Sequence, residues 1–149
     1  MLFRSLFAVN LAYAWRRDDR AVLNDVASVV QSCLMVFVVA TVAGVGPGRA
    51  APAAGLCLAY FLGTVLYVKT MIRERRNPAY RRWSVSYHAA ALAGAAVISP
   101  WAAILFGWLL VRAALFPGRA LRPARIGMVE IANCAALVGA TALFLAFPG

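Results

Sequence analysis

The chain has 149 residues, 64% of them hydrophobic, with 15 basic residues against 5 acidic and a net charge of +10. Its mean hydropathy of +0.79 exceeds what soluble domains carry, and its few charges cluster between long uncharged runs, so a soluble globular domain is excluded. The excess Arg and Lys stands at the ends of apolar segments, where it orients helices and meets anionic lipid headgroups; with no free basic domain to lie on a duplex, nucleic acid is not expected as a partner.

Residues 1–15 are apolar but short, and Arg4 and Asn10 interrupt them. Ala12-Tyr13-Ala14 has the small residues of a signal-cleavage site, yet five further apolar runs follow. A short helix at the membrane surface fits better, as does the tail of a span that begins earlier. Arg16 to Arg20 forms a polar junction. Apolar runs then cover 21–44, 53–72, 84–98, 101–116 and 126–147. A hydrocarbon core takes about 20 helical residues, so the expected fold is an all-α polytopic bundle of five spans in a single membrane domain, plus the N-terminal helix. No strand-like alternation supports a β-barrel.

The junctions carry three basic residues in 16–20, one in 45–52, five in 73–83, none in 98–101 and three in 117–125. The alternation is complete. It places 16–20, 73–83 and 117–125 in the cytoplasm of a bacterium and the C-terminus outside the inner membrane. Ser99-Pro100 closes a turn in this reading, because proline disfavours helix at the residue before it. The rival is one proline-kinked helix over 84–116.

An ionisable group inside a span is a candidate site. Asp25, Lys69, His88, Arg112 and Glu130 each fall about one turn from the expected cytoplasmic end of a span, on the order of 6–8 Å below the boundary. If the helices turn them inward, they make a charge-balanced polar chamber open to the cytoplasm. Structure alone also accounts for them: the acids stand near helix N-termini and the bases near C-termini, as the macrodipole favours, and Lys and Arg can snorkel. Asn24, Asp25, Ser28, Gln31 and Ser32 share one face of the first span, so that face packs on a neighbour or lines a wet cleft. Asn133 is explained by bonding between helices.

His88 has no partners at metal-ligand spacing, and no metal or other cofactor is expected. Cys33, Cys57 and Cys134 read as small apolar residues within the runs. The stretch 69–83 holds six basic residues. Lys69, Arg73 and Arg76 would line one face of a continued helix, where they could clamp a diphosphate together with Mg2+ or serve only to orient the chain.

The run Gly63-Thr-Val-Leu-Tyr-Val-Lys69-Thr-Met-Ile-Arg73-Glu-Arg75-Arg76-Asn-Pro-Ala-Tyr80-Arg-Arg-Trp-Ser84-Val-Ser-Tyr87-His88 resembles the YwiC-like family of bacterial integral membrane proteins. Arg16 to Asp25 is similar to the same family. The resemblance implies a membrane protein without a settled biochemical role. It also implies longer relatives with further spans and a His-Gly motif near the start, so that this chain is expected to be either a shortened homologue or a product begun at an internal Met. A looser similarity is to UbiA-type prenyltransferases: Asn24-Asp25 and Tyr67-Val-Lys69 resemble their Mg2+-diphosphate and loop contacts, although the full Asp-x-x-x-Asp motifs are missing. Two functions follow as expectations. The first is a non-enzymatic transport or membrane-assembly component with a polar chamber that admits a small molecule. The second is a prenyltransferase-like protein that holds an isoprenoid diphosphate at Asn24, Asp25, Lys69 and Arg73 with Mg2+. A homo- or hetero-oligomer is compatible with either.

Overall fold

The structure, a computed structural model, describes residues 2–15, 22–119 and 121–146. The polar junction 16–20 and the outer ends of the first and last expected runs lie outside the described residues. Six helices and no strand are found among the described residues: α1 (Leu2–Trp15), α2 (Val22–Val42), α3 (Pro47–Ile72), α4 (Pro78–Ile98), α5 (Pro100–Leu115) and α6 (Pro123–Ala146). The protein is an all-α helical bundle. Three of its helices are long and apolar enough to cross a membrane: α2, α3 and α6 over Pro123–Leu143. In hydrocarbon a helix satisfies its backbone internally, which is why valine-rich runs such as α2 stay helical despite modest intrinsic propensity.

The helix boundaries follow local chemistry. At the end of α2, Gly44 takes φ +70°. Its N–H donates to the Thr41 carbonyl at 3.1 Å, and the Val45 N–H donates to the Ala40 carbonyl at 2.8 Å. This is a Schellman closure, and glycine supplies the left-handed residue without steric cost. Pro47 then opens α3 at a position where no N–H is needed. Asn77 ends the turn after α3 in extended conformation, φ −97° and ψ 101°, as a residue before proline must. Its Oδ1 accepts from the N–H groups of Ala79 and Tyr80, capping α4.

Ser99 serves two helices at once. It terminates α4 in extended conformation, and its Oγ accepts from the Trp101 N–H at 3.2 Å to cap α5. The helices α4 and α5 pack on each other more extensively than any other pair, and α5 also packs on α6. The rival kinked helix is not what forms here: residues 84–116 are divided at Ser99.

The chain divides into two compact units, Met1–Leu62 and Gly63–Gly149, with the boundary inside α3. In the first unit α1 packs on α2. Asn10 of α1 donates from Nδ2 to Gln31 Oε1 at 3.0 Å, and the Ser28 hydroxyl donates to Asn10 Oδ1 at 3.2 Å. The polar face of α2 thus meets a matching residue on α1, and beside it Phe7, Asn10, Ser28, Gln31, Ser32 and Met35 line an open cleft. In the second unit Tyr67, Met71, Ala113 and Ile126 form a buried cluster, with Val68, Phe116 and Leu121 packed against it.

Candidate functional site

The second unit buries an arginine completely. Arg112, three residues before the end of α5, has no exposed surface. Its Nη1 pairs with Glu130 Oε1 on α6, whose side chain is 13% exposed. The Thr64 hydroxyl donates to the other carboxylate oxygen, Oε2, at 3.2 Å. Tyr67 lies one helical turn on from Thr64, and its ring centre is 3.9 Å from the Arg112 guanidinium carbon. Three helices therefore converge on one ion pair. A residue spacing of three on α3 and on α6, and of four on α5, sets the geometry: Trp108 Nε1 donates to Asn133 Oδ1 at 3.0 Å, one turn away from the Arg112–Glu130 contact.

The pair is not fully spent. Nε and Nη2 of Arg112 are buried and have no hydrogen-bond partner among the described residues. A buried guanidinium normally has its donors matched, since each unmatched one keeps its desolvation cost.

His88 on α4 is the second buried polar group here, at 2% exposure. Its Nδ1 is 2.7 Å from the Ser84 carbonyl oxygen, which can only accept, so Nδ1 carries the proton. Nε2 is buried without a partner among the described residues, as is the Ser84 hydroxyl. Both Arg112 and Glu130 lie within electrostatic reach of the imidazole. Gly63 gives the ring its room: a Cβ there would stand 3.1 Å from Nε2. The arrangement offers cationic donors, a carboxylate and an open imidazole nitrogen, which together can bind a small anion and hold or pass a proton.

The expected site residues are distributed as follows. Arg112 and Glu130 are brought together, with His88 nearby. Lys69 is half-buried in the last turn of α3. Asn24 and Asp25 are half-buried in the first turn of α2 and belong to the first unit. Arg73 and Arg76 do not continue a helical row from Lys69. The N–H groups of Arg73 and Glu74 both donate to the Lys69 carbonyl, α3 ends at Ile72, and Asn77-Pro78 turns the chain. Both arginines are exposed in that turn. Among the described residues, no three His, Cys, Asp or Glu side chains gather as a metal site.

Thr64, Ser84 and Trp108 were not legible as site residues from composition and charge, and Tyr67 entered only through the resemblance to prenyltransferases, not as the partner of Arg112. The signal for Thr64 and Tyr67 was present in the spacing Thr64, Tyr67, Met71, which marks one face of α3 (Met71 is 1% exposed).

The family model for YwiC-like proteins matches residues 1–40, which include the Arg16–Asp25 stretch but stop well before Gly63–His88. The uncharacterized protein YwiC of Bacillus subtilis is 35% identical over 146 residues, covering 94% of this chain and 59% of that protein. An uncharacterized protein of Haemophilus influenzae is 33% identical over 135 residues, covering 84% of this chain and 53% of its own length. The chain belongs to the YwiC-like family. It spans between half and three fifths of the length of these relatives. No solved structure matches. The relatives' names say nothing of a substrate.

Proposed function

We infer that this chain is a transport component of the bacterial cytoplasmic membrane that moves a small anion together with a proton. In this reading it crosses the membrane five times, with its C-terminus outside and the polar site open to the cytoplasm. One observation carries the reading: Arg112 is buried among helices with Nε and Nη2 unmatched, while Glu130 and His88 stand beside it. Holding an arginine at membrane depth is costly, and a purely structural pair would recover that cost by using every donor. Donors left over are suited to an anionic substrate.

The cycle follows from charge balance. With Glu130 ionised, the carboxylate occupies Arg112. Protonation of Glu130 releases Nη1 of the guanidinium, and an incoming anion takes the vacated place together with the unmatched Nε and Nη2. Loss of the proton on the far side restores the internal pair and expels the anion. His88, with Nε2 open, is placed to relay the proton.

The test is a flux measurement on the purified chain in liposomes that enclose a pH-sensitive dye. Gradients of succinate, lactate and inorganic phosphate are imposed in turn. Internal acidification with at least one of them, lost in Glu130→Gln and reduced in Arg112→Lys, supports the reading. No anion-dependent proton movement, or movement that Glu130→Gln leaves intact, overturns it.

A further inference from the structure

A second concentration of positive charge lies apart from the ion pair, at the loop ends of the second unit. Arg75, Arg76 and Arg81 line one cleft of about 270 Å³, together with Thr70, Asn77 and Gly118. Two of the three arginines are tethered to the backbone. Arg81 Nη2 donates to the Ala114 carbonyl at 2.7 Å, and Arg75 Nε donates to the Met71 carbonyl at 3.0 Å. Arg76 makes no hydrogen bond or ion pair among the described residues. The neighbouring acid, Glu74, accepts from Asn77 Nδ2 at 2.8 Å rather than from an arginine of the cleft.

Arginines that serve only to orient a membrane chain have no reason to converge. On an exposed surface three like-charged side chains, here two from the turn after α3 and Arg81 from the first turn of α4, move apart, because each gains hydration and loses repulsion by doing so. Here two are fixed by carbonyls at one nitrogen, leaving their remaining N–H groups for something else. A guanidinium presents a planar fork that matches the oxygens of a phosphate. The start of α4 opens on the same cleft at Asn77 and Pro78, and its macrodipole adds to the positive potential.

We propose that the cleft of Arg75, Arg76 and Arg81 binds a phosphate group, carried either by an anionic lipid headgroup or by a soluble phosphate. Arg76 is the free clamp, and Arg75 and Arg81 are the fixed walls. The site is independent of the transport reading, since none of its residues touches Arg112 or Glu130 through a hydrogen bond or ion pair.

The test is titration calorimetry on the full chain in maltoside detergent. The probes are inorganic phosphate, glycerol 3-phosphate and dihexanoyl-phosphatidylglycerol. Arg76→Gln is the primary variant because it breaks no internal bond. It is expected to weaken binding about tenfold, with Arg76→Lys losing less, as expected for a lost fork-type contact. A control pair on the neighbouring loop, Arg119→Gln with Arg122→Gln, is expected to change affinity less than about twofold, as screening predicts for charges outside the cleft. Binding of the lipid alone assigns the headgroup as the source; binding of the soluble probes as well assigns free phosphate. Absence of binding by all three probes overturns the proposal. So does equal weakening by the loop pair and Arg76→Gln, which would mean diffuse charge and no site.

Discussion

The guanidinium carbon of Arg112 lies 3.9 Å from the centre of the Tyr67 ring, while the same guanidinium pairs with Glu130. The arginine is thus held on two sides by different physics. The carboxylate supplies charge, and the ring face supplies the quadrupole that a desolvated cation seeks.

This contact gives the first prediction. Tyr67→Phe keeps the ring face and is expected to leave stability nearly unchanged, whereas Tyr67→Leu removes it and should cost about 2 kcal/mol, the size of a desolvated cation–π contact. Denaturant titration in detergent micelles, followed by tryptophan fluorescence, measures both. Equal losses in the two variants would place the energy in the phenolic hydroxyl instead.

Breaking the pair differs from replacing it. Arg112→Leu takes the guanidinium from the Glu130 carboxylate and is expected to destabilise by about 3–5 kcal/mol, as removing one partner of a buried pair does. The double variant Arg112→Leu with Glu130→Leu is expected to regain most of that stability, because apolar residues of similar size suit a helix interface. The same denaturant titration reads the cycle. If the double variant is no more stable than the single, the pair is held by more than its own charges.

The fold was largely legible, because it depends on apolar runs and on breakers that act locally. Gly44 and Ser99-Pro100 delimit helices through their own conformational limits where the sequence reading expected a break, whereas α3 and α4 open at Pro47 and Pro78, six residues before the expected runs at 53 and 84. Arg112 and Glu130 could be flagged one by one as intramembrane charges. Their partners could not, since Thr64 and Tyr67 reach them only through packing between helices distant in sequence. The expected row of Lys69, Arg73 and Arg76 assumed a continued helix, which the Asn77-Pro78 turn interrupts. Asn10 looked like a flaw in an apolar run. It is the partner of Gln31 and Ser28.

Gly63 and His88 are in close approach on α3 and α4. A Cβ at residue 63 would stand 3.1 Å from His88 Nε2 and 3.4 Å from Tyr87 Cε1, and the imidazole cannot swing freely while Nδ1 holds the Ser84 carbonyl. Alanine in a helix ordinarily gains up to about 1 kcal/mol over glycine. At residue 63 crowding opposes that gain, so Gly63→Ala is expected to be neutral to destabilising and Gly63→Val to cost about 1–3 kcal/mol. Gly94 on α4 has nothing within 4 Å of its would-be Cβ. Gly94→Ala is therefore the control, and it should stabilise. A stabilising Gly63→Ala would show that the His88 ring yields without loss.

The last prediction concerns whether α4 and α5 pass through the membrane. α5 has 16 residues, so at 1.5 Å per residue it reaches about 24 Å, short of the roughly 30 Å hydrocarbon core. If α5 crosses, local bilayer thinning or oligomerisation absorbs the mismatch at a modest cost per ångström. The first residues of α4, Pro78 to Trp83, contain Arg81 and Arg82, both exposed, so with five spans only the part of α4 after them lies in the apolar region. Two helices joined at Ser99, the second of them short, can cross as a hairpin, or they can enter and return on one side. Both cases put residues 78 and 120 on the same side and differ only at residue 99. Single cysteines at 48, 78, 99 and 120, in a background without the three native thiols, are to be labelled from outside intact cells. Labelling at 48 and 99, with 78 and 120 protected, is expected from five spans and the distribution of arginine. Labelling at 48 alone would make α4 and α5 a re-entrant pair that opens to the cytoplasm, and the polar site around Arg112 would then line a cavity closed on the outer face.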